Sequence, residues 1–141
     1  RISQFPNIEL TGIAWCLDDE VVAKKQTLDY LLQYPDIVGI FGVNVFSAQG
    51  SYQAVQESGL SGAVKVASWD ATPPLAVALE MGEVDLILAQ KPAEMGSLAV
   101  EWCVRYFKDK VNIPKKIVTG FEFLTRDSMF EPGKRKYIYH N

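Results

Sequence analysis

Hydrophobic and polar positions along the chain follow two alternating rhythms. Short apolar runs rich in β-branched residues, of strand length, are separated by longer stretches in which apolar residues recur at helical spacing. Residues 8–15, "IELTGIAW", read as a first strand. The acidic "DDE" then opens a helix to about Gln33, with Glu20 favourable in its first turn and Val21, Val22, Leu28, Leu31 and Leu32 near helical spacing. "PDIVGIFGV" supplies a second strand, continuous in apolar residues as expected of one buried on both faces. A helix from about Phe46 to Ser58 follows, stopped by Gly59. Residues 64–69 are a third strand, and Pro73 and Pro74 suit the first turn of a helix ending near Gly82. Residues 84–89 make a fourth strand, residues 93–108 a helix and residues 116–124 a fifth strand, before a polar tail.

Strands joined by single-helix crossovers predict an α/β fold, a doubly wound, mostly parallel sheet of about five strands with helices on both faces. In such sheets ligands gather beyond the carboxyl ends of the strands, so function belongs at the residue just past each one. Length and composition fit one globular domain: 141 residues, 48% hydrophobic and 22% charged. With a net charge of −3 and its only basic cluster in "GKRK", the chain lacks the footprint of a nucleic-acid binder. No apolar run approaches the roughly 20 residues of a membrane-spanning helix. The two cysteines, Cys16 and Cys103, have no metal-site spacing, and Cys103, at helical spacing with Trp102, Tyr106 and Phe107, reads as a buried thiol.

Three strands end in side chains of one kind. "GIFGVN" ends on Asn44, "VKVASWD" on Asp70 and "DLILAQ" on Gln90. Asn and Gln both donate and accept hydrogen bonds, and an ionised Asp accepts from two hydroxyls at once. The set suits a polyol or sugar, with Asp70 as anchor because hydrogen bonds to charged groups are worth about 1.5–3 kcal/mol. These junctions are also helix starts, where Asn44 can serve equally as an N-cap. Asp70 is free of that duty, since Thr72 followed by Pro73 makes its own N-cap, and Gln is not a favoured capping residue. Aromatic faces pack against the C–H face of a sugar ring. Trp15 is a candidate for that role, whereas Trp69, next to Asp70 on its strand, points to the opposite face and reads as core.

Other chemistries fit less well. "IAWCLDDE" with Asp70 and "QKP" resembles a Mg²⁺-binding phosphoacceptor receiver domain, but there the Lys-Pro follows the fifth strand, and here it follows the fourth. The single histidine, His140, lies in the tail, so a His-based nucleophile relay has no base. "GLSG" at 59–62 leads into a strand rather than opening a helix and is no phosphate loop. No catalytic residue, metal site or cofactor is expected.

Taken together, "YPDIVGIFGVNVFSAQGSYQAVQESGLSGAVKVASWDATPP", "MGEVDLILAQKPAEMGSLAVEW" and "IVTGFEFLTRDSMFEPGKRKYIY" resemble the C-terminal lobe of the type I periplasmic binding proteins. These are the sugar-binding subunits of ABC importers similar to ribose-binding protein. The resemblance implies that Asn44, Asp70 and Gln90 hydrogen-bond a sugar and that the segment from Trp15 adds a contact through Asp18 or Asp19. It also implies a two-lobed, non-enzymatic protein that closes like a hinge on a monosaccharide. Residues 1–141 would be its single C-terminal lobe, with the N-terminal lobe outside this chain. Its partners would be the sugar, that missing lobe and ABC permease subunits. It would touch a membrane only through the permease or an upstream anchor, in the periplasm or on the extracellular face of the cytoplasmic membrane. The alternatives on the same fold are the effector lobe of a LacI-type regulator and the sensor of a receptor kinase.

Overall fold

The computed structural model describes residues 2–139; His140 lies outside them. Helix α1 (Glu20–Gln33) starts where Asp19 Oδ1 accepts from the Val21 and Val22 N–H groups at 2.8 and 3.0 Å. Strand β1 (Gly39–Gly42) leads into α2 (Val45–Glu57), whose C-cap Ser58 precedes Gly59, left-handed at φ +69°. Strand β2 (Lys65–Trp69), helix α3 (Pro73–Met81) and strand β3 (Leu86–Ala89) follow, and Gly82 caps α3 in the left-handed region. Helix α4 (Pro92–Asp109) and strand β4 (Glu122–Leu124) complete the order.

The sheet runs β1-β2-β3-β4, with the first three strands parallel and β4 antiparallel to β3. One face is packed. Val66, Ile87, Ala89 and Leu124 meet Ala48 and Val55 of α2 and Leu75 and Leu79 of α3, all essentially inaccessible to water. Helix α1 lies on α2 along a stripe of small residues. Ala23, Thr27 and Leu31 are its buried positions, and the Thr27 and Ser51 hydroxyls meet at 3.3 Å. Gly50 permits this approach, because a Cβ there would stand 2.5 Å from the Glu20 carbonyl oxygen.

Several expectations from the sequence need correction. Residues 8–15 form no strand: the segment runs beside α1, with Gly12 against the Tyr30 ring and the Trp15 carbonyl accepting from Gln26 Nε2 at 3.0 Å. Ile8, Leu10 and Ile13 are exposed, so its β-branched composition finds no pleated surface to fit. The sheet among the described residues therefore has four strands rather than five, and the last is only three residues long. β1 is buried on one face only, that of Ile40 and Gly42, with Phe41 exposed on the other. Cys103 is exposed, since α4 buries none of its residues; Cys16 is the buried thiol, and both are free. The tail is not simply polar. Met129 enters the core, and Tyr137, Ile138 and Tyr139 pack against it. Among the described residues, no helix is long and apolar enough to cross a membrane.

Candidate functional site

The parallel register brings three strand ends level. Gly42 pairs with Ser68, and Ser68 with Ile87. Two residues further along, Asn44, Asp70 and Gln90 stand within about one position of each other on neighbouring strands. At about 4.8 Å per strand they span roughly 10 Å, enough for one sugar ring.

Asp70 is the most constrained of the three. Its backbone lies at φ +77°, and its N–H donates to the Leu88 carbonyl at 3.1 Å, extending the ladder by one bond past β2. Gln90 Nε2 donates to Asp70 Oδ1 at 2.6 Å, and the Tyr139 hydroxyl donates to the same oxygen at 2.8 Å. All three residues are half-buried. Burial and the Asp70 carboxylate together push the Tyr139 hydroxyl up to about 12, while backbone N–H groups of Gln90 and Ala71 pull the other way. The freedom of Asp70 from capping holds, but by a different route. Thr72 is the N-cap of α3, yet its hydroxyl makes no capping bond and its Oγ1 is buried without a partner. Of the two N–H groups an N-cap side chain can accept from, at the second and third helical positions, Pro74 removes the first, and the Leu75 N–H is left unused by Thr72.

Asn44 caps α2 and faces the site as well. Its Oδ1 accepts from the Ser47 N–H at 2.9 Å while Ser47 Oγ accepts from the Asn44 N–H at 3.0 Å, a reciprocal capping box. Its Nδ2 donates to Asp18 Oδ1 at 2.5 Å. Asp18 reaches it because Leu17 and Asp18 both take positive φ, in a turn closed by the Asp19 N–H on the Cys16 carbonyl at 3.0 Å. Among the described residues, three of the four non-glycine residues at positive φ, Leu17, Asp18 and Asp70, thus lie at this edge. Such backbone outliers gather where structure around them holds a site in place.

The six residues singled out in the sequence fall into distinct roles. Asp18 bonds Asn44 and Gln90 bonds Asp70, giving two hydrogen-bonded pairs at adjacent strand ends. Asp19 spends its carboxylate on the first turn of α1. Trp15 is 79% exposed and contributes only its carbonyl to a hydrogen bond. Trp69 is not core; it meets Phe41 edge-on, with ring centres 6.4 Å apart, on the less covered sheet face. Tyr139 escaped the sequence reading. It lies 69 residues from Asp70, and only the aromatic "YIY" hinted that the tail returns to the core. A depression of about 540 Å³ between the start of α4 and this tail opens beside Gln90 and Tyr139. Among the described residues, no group of His, Cys, Asp and Glu is placed to hold a metal ion.

Comparison with known proteins agrees with this architecture. The family model described as a periplasmic binding protein domain matches residues 2–110. A D-allose-binding periplasmic protein of Escherichia coli (strain K12) is 30% identical over 96 residues, 68% of this chain and 31% of that protein. An ABC transporter solute-binding protein of Agrobacterium vitis, solved with α-D-tagatopyranose bound, is 31% identical with a TM-score of 0.92. The match covers 99% of this chain and 47% of that one. A sugar transporter from Clostridium phytofermentans is 29% identical with a TM-score of 0.68, over 82% of this chain and 40% of that one. The chain thus spans less than half the length of each of these relatives. With the family model matched over more than half of its residues and the strand-end polar set in place, the chain belongs to the periplasmic binding protein family.

Proposed function

We propose that the chain is the C-terminal lobe of a solute-binding protein for a carbohydrate ABC importer, gripping a monosaccharide or similar polyol without chemical change. The observation that carries this reading is the level row of Asn44, Asp70 and Gln90, with two carboxylates already bonded to the two carboxamides. Such pairs fix the amide and carboxylate planes while leaving lone pairs and N–H groups for hydroxyls that both donate and accept. The sugars in the relatives, D-allose by name and α-D-tagatopyranose by its presence in the solved structure, support the ligand class. In this role a second lobe supplies the other wall of the cleft, ABC permease subunits receive the sugar, and the protein works outside the cytoplasmic membrane. The nucleic-acid and receiver readings receive no support from the site.

A thermal-shift screen of monosaccharides, including D-allose and D-tagatose, tests the proposal on the longest polypeptide that carries this chain. A ligand that binds only the folded state raises the melting temperature, with stabilisation growing as the logarithm of its concentration over the dissociation constant. At least one sugar is expected to do so. A panel in which none does, with the protein folded, contradicts the reading.

A further inference from the structure

The two donors on Asp70 have unequal consequences for its two oxygens. A carboxylate oxygen offers two acceptor positions, and Gln90 Nε2 and the Tyr139 hydroxyl both point at Oδ1. Oδ1 is therefore filled. No hydrogen bond reaches Oδ2 from the described residues. Tyr139 is held for this task at its backbone, where its N–H donates to the Ala71 carbonyl at 2.8 Å, and by its packing against the core cluster. The Asp70 backbone is committed to β3 and to a left-handed turn, so the carboxylate's own torsions are held by its two donors.

We propose that Tyr139 is a positioning residue of this site, which together with Gln90 fills Asp70 Oδ1 so that the carboxylate meets a sugar hydroxyl through Oδ2 alone. The inference rests on the sugar-binding reading and sharpens it. Asp70 then does not bridge two neighbouring hydroxyls, one to each oxygen, as its chemistry alone would permit. It selects a sugar by the hydroxyl presented at Oδ2. The C-terminal segment, distant in sequence from the strand ends that carry Asn44, Asp70 and Gln90, becomes part of the specificity of the cleft. Removing the Tyr139 hydroxyl leaves the ring in place, frees one acceptor position on Oδ1 and loosens the carboxylate about its last torsion.

The test combines a readout that needs no sugar with one that does, on the intact protein carrying this chain. Tyrosine-selective ¹³C NMR follows phenol ionisation, with Tyr139→Phe identifying the signal. The Tyr139 phenol is expected to titrate near 12 and to move toward the ordinary tyrosine value when Asp70→Ala removes the carboxylate. Calorimetry with the tightest-binding monosaccharide and its single-deoxy forms is expected to show two changes in Tyr139→Phe. Affinity for the parent sugar falls about tenfold, the loss of roughly one hydrogen bond's selectivity, and the penalty for the most damaging deoxy form shrinks. A Tyr139 that titrates as an ordinary tyrosine, or a Tyr139→Phe protein with unchanged affinity and unchanged ranking of the deoxy sugars, overturns the proposal. Should no sugar bind any form while the Asp70-dependent titration is present, the sugar reading fails and the coupling of Tyr139 to Asp70 stands.

Discussion

Asp70 owes its direction to partners that are far apart in the sequence. Its carboxylate accepts from Gln90 at the end of β3 and from Tyr139 in the tail, and neither contact follows from local pattern. The tyrosine gives the contact a pH signature. The ordinary phenol value near 10 applies to the unfolded chain, and the folded value is raised to about 12. Above pH 10 the unfolded state releases this proton while the folded state retains it, so stability present below pH 10 is lost as pH rises toward 12. Denaturation midpoints measured across that window are expected to fall less steeply for Tyr139→Phe than for the native chain. Equal slopes would mean that the hydroxyl is not bound as described. Asn44 is a residue with two duties, since one carboxamide caps α2 through its oxygen and reaches Asp18 through its nitrogen.

Elements built on local signals were legible in the sequence, and those built on distant pairing were not. Helices α1 to α4 begin and end within a residue or so of the bounds read from the sequence, where the acidic run at 18–20, Gly59, Pro73 and Gly82 mark boundaries. Their caps and breakers act within a turn. The row of Asn44, Asp70 and Gln90 was likewise readable, because parallel strands joined by short crossovers place successive strand ends side by side. Residues 8–15 fail the same logic: a strand exists only where a neighbour completes its ladder, and composition cannot say whether one is present. The small-residue stripe between α1 and α2 was hidden for a related reason. Val21 and Leu32 look like a packing face, but they are exposed and Ala23, Thr27 and Leu31 are buried, because Gly50 sets how closely α1 approaches. Gly50→Ala is expected to destabilise by about 1–3 kcal/mol, the usual cost of overpacking, read as a lower urea midpoint. Gly96→Ala in α4, where an added Cβ meets nothing within 4 Å, is the contrasting control. It is expected to stabilise by up to about 1 kcal/mol through helix propensity. Equal effects at the two glycines would contradict the packing described.

At the scale of the molecule, the chain has one finished face and one unfinished face. Phe41 and Phe123 on the less covered side of the sheet are each about half exposed, at 49% and 50%. Helix α4 shows Val100, Val104 and Phe107 to solvent, the last at 72%. Apolar surface of this kind seeks cover. In isolation the 141 residues are expected to self-associate as concentration rises, and sedimentation showing a clean monomer at the highest soluble concentration would count against this. On the proposed reading the chain, which spans 47% of its solved Agrobacterium vitis relative, would offer one side of a cleft, and this bears on ligand affinity. Alone it is expected to hold a monosaccharide weakly, without the second wall and the exclusion of water that closure provides. The central claim is that Asp70 grips the sugar, and the most direct measurement is calorimetry of the tightest-binding monosaccharide on the intact protein with and without Asp70→Ala. One charged hydrogen bond at about 1.5–3 kcal/mol predicts that affinity falls about 10- to 150-fold. An unchanged dissociation constant in a folded Asp70→Ala protein would contradict it.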